Sequence, residues 1–194
     1  PGFPRAKCNL YNIGTEVALA TRWPGIVKPG RLIDDFVNLM DLAPTFLEAA
    51  GVPVDPQMSG TSLVPLMRSS SSGQVDLDRT FVITGRERHV ASTRVGHLLP
   101  YPQRAIRTRD YLYIYNFEPD RWPIGDPQGL EDLTAEPPPV EEILNEYDSV
   151  FPDIDKSPTK AWMIYNRARD DVAPLFWLGF GKRPQEELYD LSSD

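Results

Sequence analysis

The chain has 194 residues, 41% hydrophobic and 25% charged, with a net charge of −8. That length buries a real core and that composition excludes disorder for the chain as a whole. No run of about 18 apolar residues is present to cross a membrane, and a single cysteine, Cys8, excludes an internal disulfide and a cysteine-based zinc site.

The charge is unevenly spread. Residues 1–68 balance, 69–116 carry a net +3, and 117–194 carry a net −11. An acidic tail of that size argues against nucleic acid as a partner, because phosphate binding needs a basic face. The central arginines suit a small anion or pairing with acids of the tail. The chain opens on Pro1 rather than Met, and is read as a fragment that has lost an N-terminal part.

Val17–Ala20 reads as a short buried strand ended by the Pro24-Gly25 turn. Apolar residues recur at helical spacing from Asp34 to Ala50. Pro44 belongs in the first turn of a helix starting near Asp41, with Asp41 as its cap and Gly51 as its stop. Gly60-Thr61-Ser62 caps one or two further helical turns. Ser69–Gly73 is a low-complexity linker and marks a boundary, with 69–78 separating residues 1–68 from 79–194.

Thr80–Thr84 reads as a strand. Residues 105–108 and 111–115 read as two strands joined by Arg109-Asp110, a pair that suits a loose turn or a bulge. Residues 117–157 read as a long surface loop rich in proline and acid. Ser157-Pro158 opens a helix with Ala161, Trp162, Tyr165 and Ala168 on one face, packed on the sheet. Glu187–Leu191 closes the chain as a strand. No complete metal motif, glycine-rich phosphate loop or Gly-x-Ser-x-Gly is present.

Taken together, several segments resemble the second half of a sulfatase. They are Pro4-Arg5-Ala6-Lys7, Asn9–Gly14, Arg22-Trp23-Pro24-Gly25, Asp41–Gly51, Gly60–Leu66 and Glu187–Leu191, in the family's order. Gly85–His89 with Tyr101–Arg107 is most similar to the heparan N-sulfatase (N-sulphoglucosamine sulphohydrolase) branch and its bacterial relatives. The resemblance implies an α/β fold, the C-terminal portion of an alkaline-phosphatase-like sulfatase. Residues 1–68 would end the α/β domain and 79–194 would form a smaller antiparallel sheet-plus-helix subdomain. Residues 17–20 and 36–46 would then expose apolar surface where the rest of the α/β sheet is wanting.

The family reaction uses a formylglycine nucleophile and a calcium ion. Cys8 is followed by Asn9-Leu10-Tyr11, so it is not the modified cysteine. The family's Asp-Asn metal ligands would fall upstream of Pro1. Both cofactors would therefore come from outside this chain, which alone should be inactive. The resemblance makes Lys7 the sulfate-contacting cation, in a catalytic and substrate-binding role. Without it, Lys7 reads as a solvated surface lysine. Asn12 stands where the family usually has an acid.

Arg88 and His89, directly after a strand, are candidates for substrate binding. A structural histidine near a strand end is the other reading of His89. Arg86 and Arg104 read equally well as structural ion pairs, His97 as a loop residue, and Trp122 as a loop anchor more than a sugar platform. Asp153 and Asp155 make a weak cation pair. The implied partner is sulfated carbohydrate, with periplasmic or extracellular location. The rivals are a phosphoesterase or phosphonate hydrolase of the same superfamily and a non-catalytic carbohydrate-binding module.

Overall fold

The computed structural model describes residues 3–87, 99–147 and 149–193. The elements are, in order, α1 (Asn12–Thr15), a 3-10 turn (Leu39–Asp41), α2 (Leu42–Ala49), α3 (Val64–Arg68), β1 (Phe81–Arg86), β2 (Gln103–Thr108), β3 (Tyr111–Asn116), α4 (Val140–Asn145), α5 (Pro158–Asn166), α6 (Ala173–Phe180) and β4 (Glu186–Asp190). The strands form one sheet in the order β1-β2-β3-β4. The two-residue Arg109-Asp110 connection makes β2 and β3 the neighbouring hairpin expected from their branched and aromatic residues. β4 pairs antiparallel with β3, Leu112 facing Tyr189 and Ile114 facing Glu187.

The chain divides into two compact units. One holds residues 1–16, 84–105 and 111–194, and the other holds 17–83 and 106–110. This grouping differs from the expected 1–68, 69–78 and 79–194. Residues 1–16 join the C-terminal strands because their polar side chains pair with β4: Arg5 Nη2 donates to Glu187 Oε2 at 3.2 Å and to the Tyr189 hydroxyl at 2.8 Å, and the Tyr11 hydroxyl donates to Glu187 Oε2 at 2.8 Å. The serine segment is not a free tether either. Gly73 bridges Ile33, and Arg31 donates to the Ser71, Leu66 and Met67 carbonyls.

In the unit of residues 17–83, Pro44 sits buried in the first turn of α2. The Asp41 side chain does not cap α2. It closes a capping box with Asn38 one turn earlier, and it accepts from the Thr61 amide at 2.8 Å and from Arg79 Nη1 at 2.8 Å. Burial alone would raise the Asp41 carboxyl, but these donors hold it below the usual carboxylate range. Gly51, at φ +71°, ends α2. Its amide donates to Glu48 and that of Val52 to Leu47, a Schellman stop. Gly60 passes so close to the Met40 carbonyl that a Cβ would not fit. Val17–Ala20 forms no strand. Val17, Leu19, Leu39, Met40 and Phe46 are exposed.

The larger unit has two cores. Leu10, Tyr11, Ala105, Leu112 and Ile114 pack together with Tyr189 and Leu191. The second core joins Ile124, Leu130, Ile143, Val150, Phe151, Ile154, Ala161, Ile164, Phe176 and Phe180. Six of those ten residues come from the stretch expected as a surface loop. Its apolar residues are too sparse for a helical or strand period, yet Ile143 is buried from the short helix α4 and the others reach inward from turns. The α6 helix, Ala173–Phe180, was not anticipated. Its apolar residues fall on all sides, so no amphipathic stripe announces it.

The face of α5 also differs from expectation. Lys160, Ala161 and Ile164 are buried, whereas Trp162 and Tyr165 are 51% and 48% exposed. Among the described residues the helix packs against α4 and α6. Phe151, Phe176 and Phe180 take the place expected for Trp162, with ring centroids 4.9 Å apart for both Phe176–Phe180 and Phe151–Phe180.

Candidate functional site

Lys7 lies on a tight loop that the local sequence fixes. Arg5 and Cys8 both adopt left-handed backbone, at φ +61° and +64°. Ala6 is fully buried, and Asn9 Nδ2 donates back to the Lys7 carbonyl at 3.1 Å. Gly14, in α1, rests against the Ala6 and Asn9 carbonyls where a Cβ has no room. The loop is further held by Glu187, whose buried carboxylate also accepts from Tyr189 at 2.7 Å and from Asn116 Nδ2 at 2.8 Å.

The Lys7 ammonium projects from this loop and meets one carboxylate. Its Nζ lies 3.2 Å from each carboxylate oxygen of Asp155. The side chains are 45% and 38% exposed. Two residues earlier, the Asp153 side chain is fully buried and lies 3.9 Å from Arg86 Nη2. The Arg86 guanidinium also donates to the Pro123 carbonyl and sits 5.7 Å above the Tyr101 ring. Cys8 shares the field of these four charges, and burial pushes its thiol up, so it is not a poised thiolate.

One turn, residues 151–155, thus supplies the counter-ions of two cations. Phe151 begins it at φ +51°. The Phe151 amide donates to Asp126 and the Asp153 amide to Ile124, both at 2.9 Å. Asp153 and Asp155, expected as a weak cation pair, serve Arg86 and Lys7 instead. The grouping was not legible from sequence, since Lys7 and Asp155 are 148 residues apart.

Arg88, His89 and His97 lie outside the described residues. Arg86, which precedes them at the end of β1, belongs to the cluster just described. Arg104 forms an exposed pair with Glu87 at 2.7 Å. Trp122 packs on the larger core, its ring 6.3 Å from Phe151, as a loop anchor does. Among the described residues, no three His, Cys, Asp or Glu side chains converge to hold a metal ion. The acids nearest Lys7 already face cations, and Cys8 lacks the context of a formylglycine precursor. Among the described residues, those around Lys7 do not fit the calcium or the nucleophile that the resemblance implies.

Comparison with known proteins places this chain in a family. The family model of the N-sulphoglucosamine sulphohydrolase C-terminal region matches residues 6–154. An ulvan-active sulfatase of Formosa agariphila is 29% identical over 111 residues, which is 57% of this chain and 21% of that protein. Arylsulfatase K of Xenopus laevis is 41% identical over 69 residues, 36% of this chain and 13% of the relative. A solved structure of a protein in complex with its substrate D-glucosamine-2-N,6-O-disulfate is 19% identical, with a TM-score of 0.34 over 80% of this chain and 26% of that one. The chain thus spans about a fifth or less of the two named sulfatases. The matched stretch holds Lys7, Arg86, Asp153 and the β2–β3 hairpin, and the chain belongs to the sulfatases, as a C-terminal domain of the N-sulphoglucosamine sulphohydrolase family.

Proposed function

We propose that this chain forms part of a sulfatase that hydrolyses sulfate esters or sulfamates on sulfated carbohydrate, and that Lys7 is its sulfate-binding cation. The observation that carries the reading is the Lys7 ammonium, presented half-exposed on a rigid loop and held by a solvent-accessible carboxylate. An exposed pair of this kind is weak and exchangeable. The exposed side of the ammonium can take a substrate sulfate while Asp155 orients it from the other, and the cation then offsets charge gathering on the sulfate oxygens. The family name and the ulvan-active relative favour a sulfated sugar.

Arg88 and His89 follow Arg86 by two and three residues, and we assign them to the same substrate pocket, with the sugar as their contact. Calcium and formylglycine are assigned to residues outside this chain, in a protein acting in the periplasm or outside the cell.

Kinetics of the complete protein test the reading. An N-sulfated or O-sulfated glucosamine should be turned over, and changing His89→Ala should alter the preference among sulfated sugars more than the turnover of a small aryl sulfate. The purified 194-residue chain should release no sulfate from either, with calcium added. Hydrolysis of phosphate monoesters in place of sulfated sugars by the complete protein would overturn the assignment.

A further inference from the structure

We propose that Lys160 is a positioning residue for Lys7, an inference that rests on the reading of Lys7 as the sulfate-binding cation. Lys160 is 1% exposed, an unusual position for an ammonium. Ser157 caps α5 by accepting from the Lys160 amide at 3.1 Å. From there the side chain runs back over the preceding turn, the direction helical side chains take. Its Nζ donates to the Phe151 carbonyl at 3.0 Å and to the Ile154 carbonyl at 3.2 Å.

Those two carbonyls bracket Asp153, and Asp155 follows directly. The opposite edge of the turn is held by the amides of Phe151 and Asp153 on residues 126 and 124, and by Pro152 against Gly125, where a Cβ would not fit. Lys160 is thus the side-chain clamp on the inner edge. A buried cation spent on two backbone carbonyls is an expensive way to brace a turn. What the turn delivers is Asp155 to Lys7 and Asp153 to Arg86. Lys160 touches neither cation, so it acts through Asp155.

A double-mutant cycle in the complete protein tests this route. Lys7→Ala, Asp155→Asn, Lys160→Met and the Asp155→Asn/Lys160→Met pair are assayed for kcat/KM on a sulfated glucosamine, each below its own unfolding temperature. Asp155→Asn and Lys160→Met should each lower kcat/KM at least threefold, and the double variant should match Asp155→Asn within twofold. Losses that multiply would show that Lys160 acts as a general brace and would overturn the proposal. So would wild-type kinetics in folded Lys160→Met or in Asp155→Asn.

Should Lys160→Met not fold, the cycle runs with Lys160→Arg, which keeps a cation but displaces the two donors. Non-multiplying losses support the route and multiplying losses overturn it. Wild-type kinetics in Lys7→Ala would remove the sulfate-binding reading and this inference together, whereas a defective Lys7→Ala with multiplying losses would remove this inference alone.

Discussion

The Lys7 ammonium and the Asp155 carboxylate meet through two 3.2 Å contacts across 148 residues of sequence. The pair joins the sulfatase-like opening motif to the turn at residues 151–155, where the matched family region ends. Both side chains are substantially exposed, so the pair contributes below about 1 kcal/mol to stability. Asp155→Asn should leave the denaturant midpoint of the complete protein almost unchanged. A loss above about 2 kcal/mol would show that the pair is a structural tie rather than an exchangeable partner.

Glu187 should behave in the opposite way. Its carboxylate is buried and accepts from Arg5, Tyr11, Tyr189 and Asn116. Glu187→Ala strands the Arg5 guanidinium, itself only 19% exposed, and leaves three donors without their acceptor. Breaking a buried pair from one side costs about 3–5 kcal/mol. Urea denaturation should show a loss in that range. A change below about 1 kcal/mol would mean that water replaces the carboxylate freely.

Lys160 predicts a pH dependence of stability. Burial lowers its pKa from the ordinary 10.5 to about 8, with Asp155 opposing the shift. Between those values the unfolded chain holds a proton that the folded chain has released, so this group adds stability as pH rises from about 8 to 10.5. Below pH 8 the buried charge opposes folding by an amount on the order of 3 kcal/mol. Lys160→Met should remove that rise. Denaturation of both proteins at pH 7.5 and pH 10.5 checks it, and equal pH slopes in the two would contradict it.

Gly60 predicts a steric effect. An added Cβ would run into the Met40 carbonyl and the Asp41 amide, next to the carboxylate that gathers Asn38, Thr61 and Arg79. Neither neighbour is the flexible end of a side chain. Gly60→Ala should cost about 1–3 kcal/mol, seen in thermal unfolding, with Gly30→Ala as a control for positive φ in open space. A neutral Gly60→Ala would mean that the 60–62 turn moves without cost.

Local signals in the sequence were legible where one side chain decides one backbone feature. Pro44 and Gly51 bound α2, Ser157 opens α5, and the 105–115 stretch forms its hairpin. The core inside 117–157 was not legible, because Ile124, Leu130, Phe151 and Ile154 are buried from turns rather than from a periodic element. Trp162 was misplaced because α5 has a weak stripe and buries Lys160, Ala161 and Ile164 instead, against α4 and α6. In the site, Lys7 was marked by its motif alone. Asp155, Lys160 and Glu187 gain their roles only from long-range contacts that no spacing encodes, although Glu187 stood in the closing motif.

The most direct measurement of the central claim is the kinetics of Lys7→Ala in the complete protein on a sulfated glucosamine. Losing a charge-assisted contact to a bound anion costs about 1.5–3 kcal/mol, one to two decades in rate. Because Lys7 is exposed on its loop and its pair with Asp155 is weak, the variant should unfold at the wild-type temperature while kcat/KM falls at least tenfold. Wild-type kcat/KM in the folded variant would contradict the account, leaving Lys7 a surface lysine paired with Asp155.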